Sequence, residues 1–178
     1  SFEDMQEIQA DVVLLDAQVF TPYILDAFDN ATNSDVNKLM DLAADPRVEE
    51  AIGRLADWGY STPTGVVTGY DASDVDGDFS PPTDLEIADS IAATIYSVWR
   101  GQALTSIIAK TLAGVGLADL GDPSTYPSSS SSVKALRNLL DNFDTNQGIG
   151  ASGLDFFVVD DVDLADAVDR RDFLVLQS

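Results

Sequence analysis

The sequence predicts a mainly α fold, an irregular bundle of about six to eight helices joined by long loops, with room for one short extended segment. Three observations predict it. Apolar residues recur at steps of three and four through most of the chain, as on one face of a helix. Helix-opening signatures precede several of these runs, Asp45-Pro46 and Thr83-Asp84-Leu85-Glu86 being the clearest. Stretches rich in Gly, Pro and Ser separate them.

Taken in order, Phe2, Met5, Ile8, Val12, Leu15 and Val19 share one helical face, with Ser1 as cap and Glu3 and Asp4 in the first turn. This helix is expected to run to Ala17. Pro22 lacks an amide proton and is expected to kink or restart it, leaving a second piece over 23–29 that ends at Asn30-Ala31-Thr32-Asn33. Ser34 or Asp35 can cap a short helix through Lys38, Leu39 and Leu42. Asp45 then caps a helix whose first position is Pro46, where the missing donor costs nothing. Val48, Ala51, Ile52 and Leu55 form its inner face, and Trp58 packs at its end.

Residues 59–82 read as a long mobile loop, in which 65–70 could supply the extended segment. Thr83-Asp84-Leu85-Glu86 opens the longest helix, with Ala88, Ile91, Ala92, Ile95, Val98 and Trp99 on one face. Gly101 offers a bend, after which Leu104, Ile107, Ile108 and Leu112 carry the helix to Gly114 or Gly116. Residues 121–132, with five consecutive serines, read as a second mobile loop. Val133, Leu136, Leu139, Leu140 and Phe143 mark another helix, followed by a flexible connection at Gly148, Gly150 and Gly153. Phe156 to Val159 is too short to assign. Asp161 or Asp163 is expected to cap a last helix carrying Leu164, Ala167, Val168 and Leu174. The whole, 1–178, reads as a single helical domain.

Composition narrows the function. With 31 acidic residues against 9 basic ones, the net charge is −22, and the three lysines are Lys38, Lys110 and Lys134. Such a surface repels phosphate backbones and anionic lipid, so neither nucleic-acid binding nor docking on an anionic membrane is expected. The apolar stretches are shorter than the roughly 20 residues a membrane span needs, so no membrane insertion is expected. The acids are scattered along the chain, as on a solvated surface adapted to high salt. The chain has no Cys and no His. Disulfides, zinc sites, thiolate nucleophiles and imidazole bases are therefore excluded within it.

Few residues tempt a catalytic reading. Ser1 could be an N-terminal nucleophile with its own amine as base. It opens an amphipathic helix, however, and Phe2-Glu3-Asp4 beside it favours the capping role. Asp74, Asp76 and Asp78, around Gly77, resemble a calcium loop whose alternate carboxylates converge on a hard cation. With Gly77 sixth in the loop, Ala72 stands first and Thr83 last, so both anchoring ligands are missing. A solvated loop is the default reading; calcium at an irregular site is the alternative, and no other cofactor is expected. Asp155, Asp160, Asp161 and Asp163 form a second acidic cluster, with helix capping weighed against acid–base work. Phe28, Trp58, Tyr96 and Trp99 lie at helical spacing among aliphatics and read as core. Gln9 sits near the apolar seam of the first helix, where a buried amide would need a partner.

Three stretches carry a family resemblance. They are Glu3-Asp4-Met5…Ile8-Gln9-Ala10-Asp11 leading to Ala17, Pro22 and Leu25; Asp45-Pro46-Arg47 through Ala51, Leu55 and Trp58; and Ser90 to Trp99 together with the closing Arg171-Asp172-Phe173-Leu174-Val175-Leu176-Gln177. In this order and spacing they resemble the helical part of the β-chain of penicillin-acylase-type N-terminal-nucleophile amidohydrolases. The resemblance implies a helical excursion from an αββα core that helps to build the outer wall of a substrate cleft. It also implies a periplasmic or secreted parent enzyme that hydrolyses the amide of an acylated small molecule, with the remainder of the acylase α- and β-chains as partners. In that family the nucleophilic serine and its oxyanion donors lie upstream of the resembling region, so no catalytic residue is carried over to a position here. The competing reading is a stand-alone acidic protein-interaction or calcium-binding module from a salt-adapted organism.

Overall fold

The computed structural model describes residues 13–63 and 81–178. The expected helix over 1–17, Ser1, Gln9, the segment 65–70 and the candidate calcium ligands Asp74, Asp76 and Asp78 lie wholly or largely outside the described residues. Within them the protein is mainly helical, and β pairing is confined to isolated bridges.

One bridge corrects the sequence reading at once. Val13 pairs antiparallel with Ser61, and the Leu14 amide donates to the Tyr60 carbonyl at 2.9 Å. The helix over 1–17 therefore cannot run through 13–14. Instead α1 starts afresh and spans Leu15–Thr32. Pro22 lies inside it and neither ends nor restarts it. The ring is on the exposed side of α1, where a lost amide donor leaves its carbonyl to water.

Helix α2, Asn37–Ala43, starts after Val36 and not at Ser34 or Asp35; the Ser34 hydroxyl instead accepts from the Val36 amide at 3.0 Å. Helix α3, Pro46–Ala56, opens as its sequence requires, with the Asp45 carboxylate accepting from the Arg47 amide at 2.9 Å and Pro46 in the first turn. Helix α4, Asp84–Ala103, opens on a complete capping box: the Thr83 hydroxyl accepts from the Glu86 amide, and the Glu86 carboxylate accepts from the Thr83 amide at 2.6 Å. Thr83→Ala removes one half of this exchange and is expected to cost about 1 kcal/mol. Chemical denaturation should show a lower midpoint with an unchanged slope.

Gly101 lies inside α4 and does not end it. The helix continues into a π-helical stretch, Leu104–Ala109, and then α5, Lys110–Gly114. Three consecutive residues of this stretch, Ile107, Ile108 and Ala109, are buried. The loop assigned to 121–132 also departs from expectation. Pro123–Thr125 forms a 3-10 turn, and four of the serines belong to the first turn of α6, Ser129–Asp141. The fifth, Ser128, is the cap, its hydroxyl accepting from the Ser131 amide at 3.3 Å. Short hydroxyl side chains favour helix starts for this reason.

After α7, Phe143–Asn146, the chain turns at Gln147 and Gly148, both with positive φ. Gly148 (φ +83°) is required twice over, because a Cβ there would meet Phe157 Cδ2 at 2.5 Å. The connection expected to be flexible is thus closely packed at this point. Phe157 itself is fully buried, standing edge-on to Phe143 with ring centroids 5.5 Å apart. Helix α8, Ala167–Gln177, is capped by Asp166, whose carboxylate accepts from the Val168 amide at 2.8 Å; neither Asp161 nor Asp163 caps it.

The core gathers where α8 packs on α1 and α2, with α3 and α4 alongside and α6 against the π-helical stretch. Phe20, Trp99, Tyr96 and Trp58 form a chain of tilted rings with centroids 5.7–6.0 Å apart, ending on the half-buried Tyr60. The Trp99 indole donates to the Val175 carbonyl at 2.7 Å, tying α4 to α8. Trp58, Tyr96 and Trp99 are core as expected, and Phe28 packs half-buried against it. The inner face of α4, however, is Ala92, Tyr96, Trp99 and Ala103, whereas Ile91 and Val98 point outward.

Candidate functional site

An apolar groove of about 630 Å³ lies where α1, α3, α4 and α8 meet. Its walls come from Val48, Ala51, Ile52 and Leu55 on α3, Ile95, Val98 and Trp99 on α4, and Val175 and Leu176 on α8. The predicted inner face of α3 thus lines a groove, and within it only Leu55 is fully buried. Its polar groups are few: Asp45, Arg47, Thr94 and Ser178. Arg47 is already engaged, with Nη2 2.6 Å from Asp45 Oδ2 and Nε 3.1 Å from Oδ1. This contact holds the Asp45 carboxyl down at about 2. A neutralised ion pair at the mouth of an aliphatic groove provides shape and apolar surface and leaves no free nucleophile or base.

The second acidic cluster does not converge on a site. Asp155 accepts from the Phe157 amide at 2.9 Å and faces Arg170. Asp161 pairs with Lys38 and also accepts from the Asp163 amide at 3.0 Å. Asp160 and Asp163 are exposed. Asp155 and Asp161 have local tasks, and among the described residues no group of three or more potential metal ligands is gathered.

Two polar groups, one buried and one partly buried, escaped the sequence reading as sites. Asp172 is 1% exposed and accepts from Asn30 Nδ2 at 3.0 Å and from Arg171 Nε at 2.7 Å. The Arg171 guanidinium also lies 4.6 Å over the Phe143 ring. Burial outweighs these partners and pushes the Asp172 carboxyl up. The sequence signal was there: an Arg-Asp pair interrupting an apolar helical run, at a step that faces the core. Asp16 and Arg100 form the second group, with Arg100 Nε 2.6 Å from Asp16 Oδ2. The buried hydroxyl of Tyr96 lies beside this pair without a well-aligned hydrogen bond, and burial and the Asp16 charge push its pKa far up. Both groups join α1 to distant helices, and neither faces the groove.

Among the described residues no helix is long and apolar enough to cross a membrane. A family model described as penicillin amidase matches residues 1–177, nearly the whole chain. No curated protein and no solved structure matches the chain.

Proposed function

The chain belongs to the penicillin amidase family, and we propose from this that it is a helical scaffold and cleft-wall domain of a penicillin-acylase-like amidohydrolase. The parent enzyme hydrolyses the amide bond of an acylated small molecule, and this segment does not supply the nucleophile. The observation that carries the reading is the match over residues 1–177. Two features of the chain support it. It has no His or Cys to act as base or nucleophile, and its 630 Å³ groove is walled by aliphatic side chains with its arginine already paired. The remainder of the acylase α- and β-chains are the partners in this reading, and the periplasm or the medium is the place of work, which fractionation of the producing cells checks.

The test is an amide-hydrolysis assay on acylated amines. The isolated 178-residue chain is expected to be inert, and the complete gene product active. Turnover by the isolated chain overturns the assignment of a scaffold role. A complete gene product that cleaves no such amide overturns the reading as a whole.

A further inference from the structure

Helix α4 carries two apolar stripes, and the core uses one. Ala92, Tyr96, Trp99 and Ala103 face inward. Ile87, Ile91, Ile95 and Val98 repeat by four, four and three residues about a third of a turn away. Ile87 is 41% exposed, Ile91 39% and Val98 59%, while Ile95 is half-buried. Between Asp89 and Arg100 the helix has no charged residue, in a chain of net charge −22. Ile95 and Val98 also belong to the wall of the 630 Å³ groove, so stripe and groove are one continuous surface. Exposed aliphatics free of charge are what the centre of an interface looks like.

The charges around this surface say what fits it. At its N-terminal end the stripe passes Leu85 and a second hollow lined by Glu50, Asp57 and Asp89. Arg54 in that hollow is held by Glu50 at 2.8 Å, and Arg47 at the groove is held by Asp45. The flank is therefore acidic with its cations already spent. Another copy of the chain would bring a further −22 against it. The stripe from Ile87 to Val98 is about 16 Å long, or three helical turns.

We propose that this surface seats an amphipathic helix of about three to four turns, with an aliphatic face and Lys or Arg along its flanks, supplied by the rest of the acylase. The proposal rests on the reading of the chain as part of a larger enzyme, and it adds the face by which that part is held.

The probe is a designed 14-residue Leu/Lys amphipathic helix, titrated into the 178-residue chain with fluorescence anisotropy as readout. An oligolysine of equal charge is the control. Binding of the Leu/Lys helix is expected at micromolar strength, with oligolysine at least about tenfold weaker. Val98→Glu places a carboxylate on an exposed position and leaves the core untouched, so the variant should fold, which circular dichroism checks. It should weaken the Leu/Lys helix by at least about tenfold. Ile149→Glu, at another exposed aliphatic, should leave binding unchanged. Equal affinities for the two peptides, or for Val98→Glu and the parent, overturn the proposal. So does a chain that sediments as a dimer which Val98→Glu splits, since the surface would then belong to a second copy. The binding readout needs no catalysis, so an inactive complete gene product with peptide binding intact would sink the amidase reading and leave the seat standing.

Discussion

Trp99→Ala is expected to destabilise the protein by about 3–5 kcal/mol, a large part of the roughly 5–15 kcal/mol that holds a domain folded. The indole is 6% exposed and touches Phe20 on one side and Tyr96 on the other. Truncation removes the contacts that join α1 to α4 and opens a void next to the groove, which the neighbours can fill only in part. It also leaves the Val175 carbonyl without its indole donor, a separate loss of about 1–3 kcal/mol when the group stays buried. Trp99→Phe separates the two terms, because it keeps most of the ring volume and loses the donor. Urea melts of the three proteins should rank parent, Phe, Ala. A Phe variant as unstable as the Ala variant would show that the indole hydrogen bond, and not the packing, dominates.

Asp172→Ala is the second large effect, at about 3–5 kcal/mol. The carboxylate is the point where Asn30 of α1 and Arg171 of α8 meet out of water. Removing it leaves the Asn30 amide and the guanidinium facing a cavity. Asp172→Asn should cost less, since it fills the same space and its amide oxygen still accepts from one of the two donors, which meet different carboxylate oxygens. The pH dependence has a definite sign. The folded state raises the Asp172 pKa through burial, so it binds the proton more tightly than the unfolded chain does, and this group's contribution to stability falls as pH rises from the ordinary carboxylate range through the raised value. The stability difference between the parent and Asp172→Asn should therefore shrink as pH is raised across that window, as thermal melts at several pH values would show. A difference that grows would mean that the Arg171 attraction outweighs desolvation.

Much of this architecture was written locally. Asp45-Pro46 and Thr83-x-x-Glu86 act within one turn, and the structure places both helix starts where the residues ask for them. The aromatic core was legible for the same reason, since large rings among aliphatics at helical spacing have few other fates. Three elements were misread. Pro22 was expected to interrupt α1, but its outward position makes the lost hydrogen bond tolerable. The serine run was expected in a loop, but one hydroxyl at the cap position organises the turn that holds the rest. The face of α4 was drawn through Ile91 and Val98 as well as Ala92 and Trp99, while packing kept the latter two, added Tyr96 and Ala103, and left Ile91 and Val98 outside. The first and third were decided by which side of a helix met a distant partner, which is not local information, whereas the serine run was decided by a cap within one turn. Of the candidate sites, the Asp155–Asp163 cluster dissolved into turns and ion pairs. The groove was half-visible, because α3 supplied the aliphatic face without showing that its counterpart would stay open.

The ties of α1 to Arg100, Asp141 and Asp172 have a consequence for biosynthesis. A ribosome makes α1 well over a hundred residues before α8, on which it chiefly packs. At ordinary translation speeds Phe20 and Ile24 wait on the order of ten seconds for their cover. Until then the nascent polypeptide has a greasy helix with no permanent home, and its abundant negative charge is what keeps neighbouring unfinished chains apart. Yield in a cell should accordingly depend on holdase supply more steeply than the finished molecule's stability suggests.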